Sequence, residues 1–567
     1  MKKIKRGFAL AMGIMTSLSV CPFGACGGLG TKVTGINENQ TQLYIAVTEG
    51  GSGRKWFNDL KAAFEAEYAQ TEFETGKMGV QIMETWGKEE FAAGTVETDL
   101  VSGSKDYNIY IGSLNYASCV SKELLLDITD IVNEKAEESE TKTIAGKMNA
   151  DYQKYYANTY LDETHKNYNH YFGLPTNDAV VGINYDVDLF DDRNWYFYEN
   201  GFKGSGTRAA GPDGISGTTD DGLPSTFDEF KQLVNAITVT PNVTPFTWTS
   251  ISGYLNDFLT SVFAADAGYS EFNANTNFSG TATLDDGSQI EVTNENGWKL
   301  ATQKGKKYVV EVAKFLSQDE RYYSEKAFDT NQSHIKAQEE FVWSADPDAS
   351  TRYAMIIEGS WWENEAESTN TFTTMVDRNG KDYAFGTRRY GFMPFPKRNG
   401  PVEGEGNTLL STTDQGIIAI NAKVKGTPQE RLAKEFLRFF VRNSTMSKYT
   451  GATGCIRPFE YELMDVDYQN MTPYAKNVYD LYTEENTKIC HYNLTDNIMK
   501  INEKTYLYGL LTFVSKVGDG KTAVEYNNFV GNFKNNSSLT VADVYAGMAA
   551  KFTEADWKRT LSQYIGG

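Results

Sequence analysis

The chain is 567 residues long, which at roughly 100–200 residues per domain makes two to four domains or a few large lobes. It is 40% hydrophobic and 23% charged, the composition of a globular protein with a sizeable core. With 75 acidic against 54 basic residues the formal net charge is −21, which argues against a nucleic-acid footprint, with its clustered Lys/Arg, and against broad adsorption to anionic lipid. An acidic surface is compatible with a neutral ligand or a cationic partner and does not choose between them.

Residues 1–25 read as an export signal, with Lys2, Lys3, Lys5 and Arg6 before the apolar run 7–20. Those 14 residues span about 21 Å as a helix, short of the ~30 Å hydrocarbon core. F-G-A-C-G-G resembles the lipobox of bacterial lipoproteins, with Cys26 as the lipidated residue. Phe23 stands where Leu is usual; Cys21 competes, and simple secretion is the alternative. Removing 1–25 takes away four positive charges and no negative one, so −21 becomes −25. Cys119, Cys455 and Cys490 then remain, at spacings that fit no zinc or redox motif. Cys455 and Cys490 either pair or stay as buried thiols, and thiols are the expectation.

Residues 26–41, rich in Gly and Asn, read as a flexible tether. Folded sequence begins with a strand at 42–48, followed by a helix at 54–69 whose Trp56, Leu60, Phe64 and Tyr68 form one stripe. A strand at 79–84, a helix at 88–101 and a strand at 107–111 continue the alternation, which implies a parallel, doubly wound sheet. Ligands of such sheets bind beyond the carboxyl ends of the strands. Those ends place Glu49, Trp86, Asn115 and Tyr116 at the expected cleft, with capping or surface roles as the alternative. Further along, helices are expected at 226–237 and 299–317, and a small hairpin within 272–297. Thr427, Pro428 and Glu430 predict a capped helix over 427–442. The tail 456–567 reads as mainly helical, with further starts at Thr540…Asp543 and Thr553…Asp556.

Signatures of enzymes are absent. The four histidines (His165, His170, His334, His491) form no H-E-x-x-H, and no G-x-S-x-G elbow occurs. Gly520-Lys521-Thr522 imitates the end of a phosphate loop, but Ser515 stands where its first glycine belongs. Paired carboxylates for glycoside hydrolysis stay open, because 75 acids always offer pairs.

Several segments, in order, resemble family 1 extracellular solute-binding proteins, the sugar-binding components of ABC importers. They are Y-I-A-V-T-E-G-G with its helix; Y-F-G-L-P (171–175) running into V-V-G-I-N-Y-D-V-D-L-F (180–190); L-P-S-T-F-D-E-F (223–230); E-G-S-W-W (358–362); G-F-M-P-F-P (391–396); G-I-I-A-I-N-A-K-V (416–424) with the capped helix; and G-A-T-G-C-I-R-P (451–458). The resemblance covers most of 42–460; the insert near 191–222 and the long tail depart from smaller members.

That resemblance implies an α/β type II periplasmic-binding-protein fold, with two interleaved lobes joined by hinge crossings. Lobe one would hold 42–182 and 413–450; lobe two would hold 183–412, with 451–567 as hinge return and helical end. Trp361 and Trp362 match the family's tryptophan position, one facing ligand and one packing, both in the core being the alternative. Asn177 and Asp178 follow the first crossing, where amide and carboxylate suit hydroxyls or simply a turn. Trp248 is expected as a lobe-two platform, Arg457 as a contact near the second crossing or a structural ion-pair partner, and Trp343 as structural.

Residues 211–222, G-P-D-G-I-S-G-T-T-D-D-G, resemble the Asp/Gly loops of calcium-stabilised extracellular domains. Asp213, Asp220 and Asp221, with Asp192 nearby, would supply carboxylates to a structural Ca2+, a solvated turn being the alternative. No cofactor is expected for activity.

The expected function is therefore capture of an oligosaccharide and delivery to an ABC transporter permease, without catalysis. The protein would be a monomer on the outer face of the bacterial cytoplasmic membrane, held by its lipid alone and without nucleic-acid partners. An anchored glycan-active enzyme and a binding protein for a non-sugar solute such as a peptide are the rivals.

Overall fold

The computed structural model describes residues 35–564 except 160, 413–415, 492–493, 495–514, 517–522, 525–528 and 552. The signal segment, Cys26 and Gly520-Lys521-Thr522 lie outside the described residues. The chain divides into an amino-terminal unit, 1–38, described only at 35–38, and a second unit, 39–567, which holds everything below.

In chain order the first elements are β1 (Thr41–Thr48), α1 (Lys55–Glu67), β2 (Val80–Gly87), α2 (Ala93–Ser102) and β3 (Ile109–Ser113). β1 pairs in parallel with both β2 and β3, and buries Leu43, Ile45 and Val47. α1 buries Leu60 and Phe64 from the predicted stripe, and Phe57 beside it. Burying each such side chain contributes about 1.5–3 kcal/mol. Trp56 stays half-buried, and Tyr68 ends the helix. The expected helix at 88–101 is shorter, a 3-10 turn at Glu89–Phe91 preceding α2.

Next come α3 (Tyr116–Ser121), α4 (Ala150–Tyr156), β4 (Leu174–Pro175) and β5 (Val180–Asp186), the last buried along its whole length. α5 (Phe227–Thr238) starts on Thr226, whose side chain accepts from the Glu229 N–H, while Glu229 accepts from Ser225. β6 (Val243–Thr247), α6 (Ser252–Ala267) and α7 (Tyr269–Asn277) lead to the hairpin β7 (Gly280–Thr283) and β8 (Gln289–Val292). α8 (Lys306–Ser317) begins later than expected, since Gly297–Thr302 forms a 3-10 turn and Gly305, at φ +94°, breaks the run.

The remaining elements are α9 (His334–Trp343), β9 (Arg352–Gly359), α10 (Trp362–Ser368), β10 (Tyr390–Met393), β11 (Thr408–Ser411) and β12 (Gly416–Ile420). After these stand α11 (Pro428–Phe440), α12 (Asn443–Thr453), α13 (Pro473–Thr483), β13 (Lys488–His491), α14 (Val541–Lys551) and α15 (Glu554–Tyr564). α11 has Pro428 in its first turn, yet the Thr427 hydroxyl donates to the Val424 carbonyl rather than capping. Glu430 accepts instead from the Gly426 N–H. At α14 a reciprocal box does form, Thr540 and Asp543 each accepting from the other's backbone N–H. Among its described residues the tail is mainly helical, as expected, but β13 joins a sheet and buries Cys490 and His491 there.

Two sheets result. The first runs β2-β1-β3-β12-β4, with β12 antiparallel to its neighbours. The second runs β13-β11-β5-β9-β6, with β10 also paired to β5. The chain passes between sheets after β4 and again after β11, then returns through 454–472, so the two α/β lobes are interleaved. Lobe one packs α1 and α11 over the first sheet around Leu43, Phe64, Ile418 and Phe436. Lobe two builds its core from Ile183, Phe246, Met355 and Phe395, with a second layer around Trp362, Tyr390 and Tyr474.

Candidate functional site

A cleft of about 390 Å3 opens where the carboxyl ends of β1, β2 and β3 face lobe two. Lobe one contributes Glu49, half-buried Trp86 and exposed Lys88. Glu49 accepts from Arg54 at 2.6 Å, and the Arg54 guanidinium lies 5.2 Å over the Trp86 ring. The crossing contributes Thr176 and Asn177; lobe two contributes Tyr254, Trp361 and Glu365. A second groove of about 810 Å3 lies beyond Trp56, Tyr449 and Arg457, which border both spaces.

Trp361 lies flat between two glycines. A Cβ on Gly359 would stand 2.2 Å from its ring, and one on Gly51 of lobe one would stand 2.6 Å from its Cδ1. A side chain at either position would force the indole to move, and the indole is one of the places where the lobes touch. Tyr254 meets Trp361 edge to face at 6.4 Å and stacks on His334 at 5.6 Å. The His334 Nε2 stands 3.4 Å from Glu365 and 3.5 Å from Lys88, so a cation of lobe one reaches the lobe-two wall.

Behind that wall Gln338 is fully buried and donates from one nitrogen to Glu365 at 2.8 Å and to Glu358 at 3.2 Å. Burial, and then the Glu365 charge, push the Glu358 carboxyl well above its usual range. Burial also raises Glu365, but donation from His334 and Gln338 outweighs it and holds that group below the usual range. Sequence reasoning missed Lys88, Tyr254, His334, Gln338 and Glu365. Glu365 had a signal, lying four residues after Trp361 and thus one helical turn on.

Of the sequence-derived residues, Trp361, Glu49, Trp86, Asn177 and Arg457 come together at the cleft. Others do not. Trp362 is fully buried, 5.0 Å from Tyr390 and 5.5 Å from Tyr474 in the lobe-two core. Trp248 is equally buried, packed on Tyr323 at 5.1 Å and Phe328 at 5.8 Å, because β6 runs through the core before its end. Tyr116 packs against Tyr156, and its hydroxyl donates to the Tyr156 carbonyl at 2.9 Å. Asn115 donates to Glu97 at 2.7 Å beside α2. Trp343, as a structural ring, donates to the Thr371 carbonyl and carries Arg378 over its face.

Asp178 is fully buried at the crossing, where Ser411, Tyr482 at 2.7 Å and His491 at 2.9 Å donate to it. Burial raises its pKa, but the His491 charge and these donors bring it below the usual range. The other His491 nitrogen faces Asp151 of α4 at 3.0 Å, and the Tyr269 hydroxyl reaches the same carboxylate at 3.4 Å. Burial lowers His491, yet Asp178 and Asp151 together push it up to about 10. A histidinium thus ties lobe two's β13 to lobe one's α4.

Arg457 is 2% exposed and ion-paired to no carboxylate among the described residues. It donates to the Thr176 carbonyl and sits 3.6 Å from the Tyr449 ring and 4.1 Å from the Phe440 ring. Burial pulls it down to about 10. Its structural role is borne by rings and a carbonyl rather than by an acid.

In the loop 211–222 the carboxylates serve the backbone. Asp213 accepts from Ile215 N–H at 2.7 Å, Asp221 from Gly217 N–H at 2.7 Å, and Asp220 from Asp213 N–H and Asn407. Asp192 is exposed and forms no hydrogen bond or ion pair with them. Among the described residues no three His, Cys, Asp or Glu side chains converge to hold a metal. Asp220 and Asp221 also accept from the Thr218 hydroxyl, at 3.0 and 3.5 Å, and no role is derived through an ion here. Cys119, Cys455 and Cys490 are free, buried thiols.

No protein-family model matches the sequence, and no curated protein matches it. Solved structures do match in shape. The SBP RafE in complex with raffinose is 14% identical, with TM-score 0.52 over 90% of this chain and 100% of that one. The GacH receptor of Streptomyces glaucescens, described with acarbose, is 11% identical, with TM-score 0.52 over 93% and 99%. A chitin oligosaccharide binding protein is 14% identical, with TM-score 0.50 over 89% and 95%. These likenesses show the type II periplasmic-binding-protein fold.

Proposed function

We propose that this protein binds an oligosaccharide outside the cell and hands it to the permease of an ABC transporter by closing its lobes. The observation that carries the reading is the cleft, where Trp361 and Tyr254 from one lobe oppose Trp86 from the other among carboxylate and amide groups. Sugars offer apolar C–H faces to rings and hydroxyls to such polar groups. RafE, GacH and the chitin oligosaccharide binding protein share the fold and are described with oligosaccharides or an oligosaccharide-like ligand. A ligand touching both walls favours the closed state by its differential affinity for it.

Three finer points belong to the same proposal. Cys26 carries a lipid that holds the mature chain at the outer face of the cytoplasmic membrane, supported by the lipobox-like F-G-A-C-G-G. The protein acts as a monomer. It makes and breaks no bond, which the description of its structural neighbours as binding proteins and receptors supports. The test is calorimetry against raffinose, stachyose, acarbose and chitin oligosaccharides, with product analysis and Trp361→Ala alongside. Saturable binding that weakens about ten- to a hundredfold in the variant is expected. Time-dependent release of smaller sugars would sink the reading in favour of an enzyme.

A further inference from the structure

We propose that Glu365 is the hydroxyl-accepting, specificity-determining carboxylate of the lobe-two wall, and that Gln338 and His334 are positioning residues that keep it ready. This inference rests on the oligosaccharide reading above and goes beyond it by naming the group that reads the sugar's hydroxyls.

Geometry carries the argument. Among the described residues Glu365 is the one lobe-two carboxylate on the cleft; Glu358, its neighbour, is 2% exposed and stands behind it. A carboxylate so enclosed needs donors to keep its orientation, and Gln338 supplies one at 2.8 Å with His334 at 3.4 Å on the other oxygen. Trp361, one turn earlier, and Tyr254, stacked on His334, flank it with rings. A sugar ring lying on those faces would turn its edge hydroxyls toward Glu365. Lys88 of lobe one reaches His334 at 3.5 Å, so lobe closure completes the enclosure.

The acid pair also divides its labour. Gln338 bridges Glu358 and Glu365, and two buried like charges this close cannot both ionise freely. Burial and the Glu365 charge favour the proton on Glu358, while donation from His334 and Gln338 favours the charge on Glu365, the stronger acceptor in that state. The charged and titratable groups facing Glu365 are Lys88 after β2, Tyr254 of α6, His334 of α9 and Glu358 of β9.

The experiment compares wild type with Glu365→Gln, Glu358→Gln and Gln338→Leu, using raffinose, acarbose and chitin oligosaccharides as probes and thermal melts as the fold control. Losing a hydrogen bond to a charged acceptor predicts about ten- to a hundredfold weaker binding for Glu365→Gln and at most a few-fold change for Glu358→Gln. Gln338→Leu removes a donor, lets burial raise Glu365, and so predicts binding that weakens more steeply on acidification than wild type does. A merely structural role for Gln338 would lower the melting midpoint without that pH slope. Equal affinity in Glu365→Gln and wild type overturns the inference and leaves the oligosaccharide reading standing. Should wild type bind none of the probes, that reading fails on its own account. Carbon-13 titration of glutamate carboxyls then decides the rest: Glu365 titrating low and Glu358 high supports the division, and the reverse order overturns it.

Discussion

Gly51 carries no side chain, yet it decides how near the lobes can come. Trp361 lies against it, so Gly51→Val should hold the cleft ajar. The expected outcome is weaker sugar binding and a larger radius of gyration by small-angle scattering, with a melting midpoint close to wild type. An unchanged radius would remove that role. Arg457 invites a paired test, since it is buried without an acid partner. Arg457→Ala leaves a cavity among Trp56, Phe440 and Tyr449 and should destabilise by about 2–5 kcal/mol in chemical denaturation. Arg457→Met fills most of that space without the charge and should lose much less. At this scale the sequence was readable where a motif fixed a position. E-G-S-W-W located Trp361, but which of the two rings faced the cleft depended on Trp362 entering α10 and turning inward. Trp248 misled for a related reason: a residue just past a strand's end looks cleft-facing, while the neighbours that bury it, Tyr323 and Phe328, lie about 80 residues away in the sequence.

Among elements, the loop 211–222 makes the clearest prediction. Asp220 is pushed up to about 7 by burial and by Asp213. Its folded value exceeds the unfolded one, so the neutral form is favoured by folding; this contribution is present at low pH and fades as pH rises from about 4 to 7. Asp220→Asn keeps an acceptor for Asn407 and Asp213 and should stabilise the protein at pH 7 by up to a few kcal/mol, with no gain at pH 4. Melts of the two proteins across that range decide it, and a constant difference would defeat the assignment. Because these carboxylates are turned to N–H donors, chelation and excess calcium should give the same midpoint; a calcium-dependent rise would restore the ion. The strand–helix alternation of 42–111 was legible from periodicity, since local burial dictates it. β13 was not, because its four residues earn their place only by pairing with β11, about 80 residues earlier.

For the whole molecule, two lobes rather than a row of domains follow from strands that return to a sheet long after leaving it, as β12 does beside β3. Order of motifs along the chain made that interleaving readable; the contacts that hold the lobes to each other were invisible, being made by residues such as Lys88 and His334 with no motif around them. His491 is the contact with the widest reach. It stands between Asp178 of the crossing and Asp151 of lobe one, and owes its high proton affinity to both. Drawing the lobes apart would remove Asp151 and lower that affinity, so between the open-state value and about 10 the act of closing takes a proton from solution. Ligand capture above neutral pH should then release or absorb heat according to the buffer present. Titrations at pH 9 in buffers of different ionisation enthalpy should give apparent enthalpies that differ in proportion, and Asp151→Asn should make them coincide. The protein would in this sense count hydrogen ions as well as sugars each time it shuts.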